Sequence, residues 1–115
     1  MSNTTPEEKD GNGCCSQAMP DKAEFRRQAR VIKAVANEAR LMIVYRLEGG
    51  ECSAGTLAEL VGLDPSTVSK HLSILRAAGI VDDRRDGNTV YYRLLTPCIL
   101  TVFSCASRVV RERGH

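Results

Sequence analysis

Five cysteines carry the most reactive side chains of this 115-residue chain: Cys14 and Cys15 side by side, then Cys52, Cys98 and Cys105. An odd number cannot all pair within one chain, and the N-terminus lacks the basic-then-apolar pattern of a secretory signal. The expected compartment is therefore the cytoplasm, with free thiols as the expected state. Such thiols can hold a soft metal ion or metalloid, or respond to oxidants, but they do not make a disulfide framework. Cys14 and Cys15 fall in a polar stretch over residues 1–20 that has almost nothing apolar to bury and reads as a flexible N-terminal arm. A packing role is closed to them there, which favours ligation. Cys52 follows Gly49-Gly50 and can be either a ligand or a small buried hydrophobe at a helix start. Cys98 and Cys105 share a helical face but stand about 10 Å apart along the axis, too far for one ion. Two antiparallel copies of that helix, with the dyad near Thr101 and Val102, would set Cys98 of one against Cys105 of the other. Filling a dimer core is the competing role for this pair.

An enzymatic reading finds little support. The segment from Cys105 to Arg111 has the Cys-x5-Arg form of thiol phosphatases and some arsenate reductases, but that chemistry needs a glycine-rich loop whose N–H groups cradle an oxyanion. Here the segment is an uninterrupted amphipathic helix, so no enzyme is expected. The formal charge of +2 is too small to imply nucleic acid by itself, and any such case must rest on where the basic residues sit. No apolar run reaches the length of a membrane span, so no membrane partner is expected.

The remaining chain, residues 21–115, reads as one domain of helices followed by a hairpin and a last helix. A helix over 21–36 carries Phe25, Ala29, Ile32 and Ala36 on one face. Asn37 opens a second helix with Leu41, Val44 and Leu47 as its apolar stripe, and the glycine pair ends it. A short third helix over 54–61 turns Leu57 and Leu60 inward. Gly62 then leads to Asp64 as a cap and Pro65 at the first position of a fourth helix, which is the pattern of a helix-turn-helix. Residues 80–95 switch to strand character, with Val90, Tyr92 and Leu94 on one face and Asp86-Gly87 as the turn of a hairpin. Thr96 and Pro97 open a final helix to about Arg113, with Ile99, Phe103, Ala106 and Val110 as an apolar stripe that Val102 and Val109 broaden.

In the fourth helix Val68, Leu72 and Leu75 turn to one side, which leaves Ser66, Ser69, Lys70 and Ser73 outward and Thr67 at the edge. Hydroxyls and a lysine near a helix N-terminus can meet base edges and phosphates in a major groove, where acidic side chains would be repelled. Arg84, Arg85 and Asn88 cluster at the hairpin tip, where they suit phosphate or minor-groove contact. Neutralisation of the two arginines by Asp82, Asp83 and Asp86 is the competing view. His71 lies beside the buried stripe, where partial burial is commoner than base contact.

The stretches "ANEARLMIVYRLEGGE" and "LAELVGLDPSTVSKHLSILRAAGIVDDRRDGNTVYYRL", in that order, resemble the ArsR/SmtB family of metal-sensing winged helix-turn-helix repressors over roughly residues 21–112. The resemblance implies a mainly α fold with a β-hairpin wing (α+β), dimeric through the N- and C-terminal helices. It also implies a homodimer that binds double-stranded operator DNA and leaves it when an effector binds, with no resident cofactor required. Many arsenic sensors of the family carry a Cys-Val-Cys box in the third helix; Ser53 and Gly55 occupy those positions here, so that site is absent. Some arsenic sensors instead combine a cysteine pair in the arm with one cysteine after the glycine pair, and Cys14, Cys15 and Cys52 match that arrangement. Zinc and nickel sensors usually use His and carboxylates, whereas this chain has only His71 and His115. Thiolates suit trivalent arsenic or antimony first, with cadmium or lead as further thiophilic ions. Two functions compete with metalloid sensing: a thiol-based redox-sensing repressor, and a winged-helix module that docks only proteins.

Overall fold

The computed structural model describes residues 18–113, so Cys14, Cys15 and His115 lie outside the described residues. The elements are α1 (Lys22–Val35), α2 (Glu38–Glu48), β1 (Cys52–Ser53), α3 (Ala54–Val61), α4 (Pro65–Ala77), β2 (Val81–Asp86), β3 (Thr89–Leu94) and α5 (Ile99–Glu112). Four helix starts are fixed by side chains that accept from an otherwise orphaned backbone N–H. Asp21 accepts from Glu24 at 3.0 Å, Asn37 from Arg40 at 3.1 Å, Ser53 from Thr56 at 3.2 Å and Asp64 from Thr67 at 3.1 Å. Gly62 ends α3 in the left-handed region at φ 73°, a conformation that a side chain disfavours.

The core lies where α2, α3 and α4 meet the base of the hairpin. Ile43, Leu57, Val68, Leu72, Leu75 and Ile80 are fully buried there, so α4 is anchored along its whole inner face. The three inward residues expected of α4 are the ones found. The strands form one antiparallel sheet in the order β1-β3-β2, with Asp86 opposite Thr89 across the hairpin end. Gly87 and Asn88 therefore make the turn, one residue later than expected, and Gly87 supplies the positive φ of 65°.

Further details differ from the sequence-based expectation, among them the start of α5, which begins at Ile99 without a side-chain cap rather than at Thr96 and Pro97. Leu60 is 53% exposed and Ala58 packs inward in its place, because only one side of the short α3 faces α2 and α4. Leu41 is also at the surface, since Ile43, Val44 and Leu47 form the buried face of α2. The strand β1 has no counterpart in the sequence pattern: Cys52 pairs with Tyr92 and Ser53 with Tyr91, joining the start of α3 to the wing. By contrast, the apolar residues Phe25 and Ile32 of α1 and Val102, Val109 and Val110 of α5 are exposed in the single chain. These faces are the ones expected to meet a second subunit.

Candidate nucleic-acid interface and thiol sites

The outer side of α4 is built from its first turn. Asp64 accepts from the Thr67 backbone N–H, from the Thr67 hydroxyl at 2.8 Å and from the Ser66 hydroxyl. The Ser66 hydrogen bond comes first among the causes that lower the Asp64 carboxyl to about 2, followed by the bonds from Thr67. Ser66 and Thr67 have thus committed their hydroxyl protons to the cap and present lone pairs outward. They suit amino groups on bases better than phosphate oxygens. Ser69, Lys70 and Ser73 are exposed on the same side, while His71 is half-buried with its Nδ1 covered and unpartnered. That edge of the imidazole faces the protein.

A depressed folded-state pKa makes Asp64 stabilising above its ordinary value near 3.8, and that stabilisation is lost as the pH falls towards 2. We expect Asp64→Ala to lower Tm at pH 7 and to flatten the acid limb of stability between roughly pH 4 and 2. Thermal melts of both proteins across that range check it; parallel curves would contradict the cap.

The wing presents its two arginines differently. Arg84 makes a two-pronged ion pair with Glu51, Nε to Oε2 at 2.9 Å and Nη2 to Oε1 at 2.8 Å, and its guanidinium lies 4.8 Å from the centre of the Tyr91 ring. The Arg84 hydrogen bond is the main cause holding the Glu51 carboxyl below its usual range. Asp86 is only a distant second partner of Arg84, at 3.8 Å. Asp82 pairs with Arg93 and Asp83 with Arg76, each at 3.2 Å. Arg85 has no ion-pair partner among the described residues, so the neutralisation of both arginines by Asp82, Asp83 and Asp86 does not form. Arg85 and Asn88 are exposed at the tip.

Sequence reasoning does not find Glu51, since 33 residues separate it from Arg84 and no local pattern links them. We expect Glu51→Gln to release Arg84, strengthening DNA binding several-fold and steepening its salt dependence. Fluorescence anisotropy at several salt concentrations measures both; unchanged values would mean Arg84 does not meet DNA.

The three thiols among the described residues differ in exposure. Cys52 is 5% exposed within the core, whereas Cys98, the residue preceding α5, and Cys105 within it are exposed. Cys105 borders a cleft of about 400 Å³ with Tyr45, Glu48, Ser104 and Arg108. Among the described residues no three His, Cys, Asp or Glu side chains cluster closely enough to hold a metal ion. A thiolate site therefore needs donors from outside residues 18–113 or from a second chain.

A capped helix presenting small polar side chains and a lysine, preceded by a short helix and followed by a hairpin wing, defines a winged helix-turn-helix module. Residues 37–83 match the family model described as bacterial regulatory protein, arsR family. The nodulation protein NolR of Rhizobium meliloti is 40% identical over 81 residues, covering 70% of this chain and 66% of that protein. The solution structure of a homodimeric winged helix-turn-helix DNA-binding domain from Mycobacterium bovis superposes with a TM-score of 0.68 at 32% identity, covering 84% of this chain and 93% of that one. The crystal structure of the antimony-specific transcriptional repressor AntR superposes with a TM-score of 0.74 at 27% identity, covering 90% and 94%. The chain belongs to the arsR family of bacterial regulatory proteins. The match spans 66% of the length of NolR and 58% and 56% of the biofilm growth-associated repressors of Xylella fastidiosa and Agrobacterium fabrum. No helix among the described residues is long and apolar enough to cross a membrane.

Proposed function

We propose that this protein is a homodimeric transcriptional repressor that binds operator DNA through α4 and the wing and is released by a trivalent metalloid, arsenite or antimonite, held on cysteine thiolates. The observation that carries the DNA-binding part is the outer side of α4: hydroxyls and Lys70 at a capped helix start, with no acidic side chain beyond the capping Asp64. Homodimerisation is supported by the exposed apolar faces of α1 and α5 and by the homodimeric relative from Mycobacterium bovis. The metalloid is supported by donor chemistry, since sulfur is the only soft donor available in number, and by the likeness to an antimony-specific repressor. Cys14, Cys15 and Cys52 are the first-choice ligands, three thiolates for a pyramidal trivalent centre. Cys98 and Cys105 across the dimer are the second choice.

The test is binding of the reduced protein to its own upstream DNA, titrated with arsenite, antimonite, cadmium and zinc. Release by arsenite or antimonite well below the zinc concentration required supports the reading. Release by cadmium alone would reassign the ion. A redox reading is favoured by one observation, the exposure of the Cys98 and Cys105 thiols. Loss of DNA on oxidation, with indifference to every ion, would put it first.

A further inference from the structure

One face of α1 serves neither the core nor the apolar stripe. Lys22, Arg26, Arg30 and Lys33 recur at spacings of four, four and three, which aligns them along one side of the helix. Ala34 and Val35 turn into the core and Phe25, Ala29 and Ile32 form the apolar face, so the cations occupy a separate strip. Among the described residues the one ion pair on α1 joins Arg27 to Glu24, off that strip, and the four cations have no carboxylate partner.

The C-terminal end of the strip opens into a cleft of about 320 Å³ lined by Arg30 and Lys33 of α1, Arg40 of α2, and Ile74 and Ala77 of α4. Arg40 is fixed there by its Nη1, which donates to the Ala34 carbonyl at 2.8 Å, while its Nε is buried without a partner. The guanidinium is thus held at the wall of the cleft beside Arg30 and Lys33, where three cations converge on one opening. Ile74 and Ala77 lie four residues beyond Lys70 and Ser73 respectively, on the same side of α4. The outer side of the reading helix therefore runs directly into the cationic cleft.

We propose that Lys22, Arg26, Arg30, Lys33 and Arg40 form a second DNA-contacting surface that holds the phosphodiester backbone beside the bases met by α4. The inference rests on the reading that α4 enters a major groove. The eleven helical rises from Lys22 to Lys33 span about 16 Å, equivalent to roughly five base-pair rises, so the strip can follow several consecutive phosphates. Its contacts carry no sequence information and would set the register and orientation of the reading helix. The exposed apolar side of α1 stays free for the second subunit, so both subunits can offer the strip at once.

The test compares Arg30→Gln/Lys33→Gln with a charge-matched control on another helix, Arg108→Gln/Arg111→Gln. Glutamine keeps helix propensity, and unchanged Tm verifies the fold. Affinity for operator and for unrelated duplex is measured by anisotropy across a salt series. In the strip variant the slope of log K against log[salt] falls by roughly 0.9 for each phosphate that is no longer neutralised, and affinity drops at least about tenfold on both duplexes. The control retains the wild-type slope. Equal changes in both variants would reduce the effect to net charge, and an unchanged strip variant would remove these residues from the interface; either overturns the proposal. A wild-type protein that binds no duplex would instead overturn the DNA-binding reading itself.

Discussion

Lys70→Glu is expected to abolish tight operator binding while leaving the fold intact. Lys70 is exposed on α4 between Ser69 and Ser73, and the inner face of the same helix is held by Val68, Leu72 and Leu75, all fully buried. Changing the outer side therefore leaves the core untouched. A good base contact is worth about 1–3 kcal/mol, and a dimer would forfeit it twice, so roughly 2–6 kcal/mol is at stake. At 1.4 kcal/mol per factor of ten, this is about a 30-fold loss at the least. The introduced carboxylate adds repulsion against the phosphates, which places Lys70→Glu below Lys70→Gln in affinity. Anisotropy at fixed salt measures the ladder, and a Tm within a degree or so of wild type excludes misfolding. Affinity within threefold of wild type for the glutamate variant would remove α4 from the groove.

The order of these variants also separates two kinds of surface. Lys70→Gln should weaken operator more than unrelated duplex if Lys70 meets a base, whereas the strip on α1 should weaken both alike. The wing belongs between them. Its Arg85 is open to a phosphate or minor groove, but Arg84 is already bound to Glu51 and stacked on Tyr91. Part of the basic charge at the wing is thus spent on holding the hairpin to the segment before β1.

How far the sequence alone leads depends on whether the deciding interaction is local. The start of α4 is legible, since Asp64 and Pro65 act within one turn and their roles follow from helix-end chemistry, whereas the bonds from the Ser66 and Thr67 hydroxyls to Asp64 are not. The inner side of α4 is legible for the same reason, because its period is unambiguous. Leu41 and Leu60 are different. Each sits on an apolar helix that meets the core on one side and leaves apolar residues on the other, around a hollow shared with Met42, Tyr45 and Val61. Periodicity identifies apolar stripes but does not say which one a neighbour covers. The strand β1 is two residues long and has no period at all; it exists because β3 offers an open edge to Cys52 and Ser53. The ion pair between Glu51 and Arg84 depends on that same pairing, which only the folded chain creates.

If the proposed arm site is the effector site, replacing Cys14 and Cys15 with serine is expected to remove metalloid-induced release and to leave operator affinity at the wild-type value. Two of the three proposed thiolates would be lost, and Cys52 by itself would be one donor where a pyramidal trivalent centre takes three. The coupling follows from where Cys52 sits. Its backbone pairs with Tyr92 of the wing strand, and α3 begins two residues later at Ala54, so a pull on this segment acts on both the helix-turn-helix and the wing. Cys52 is 5% exposed, so ligation at its thiol would draw β1 away from the core, a difference between liganded and free protein that DNA affinity would register. A tenfold loss of affinity needs about 1.4 kcal/mol of coupling. Cys98→Ser/Cys105→Ser serves as the opposing variant, because those residues flank and lie within α5, distant in sequence from β1. Under the arm-site arrangement it releases DNA at wild-type arsenite concentrations, while Cys14→Ser/Cys15→Ser holds DNA at every concentration. The reverse pattern would move the effector to the dimer helix, where binding would alter the spacing of the two reading helices by twisting α5 against its partner.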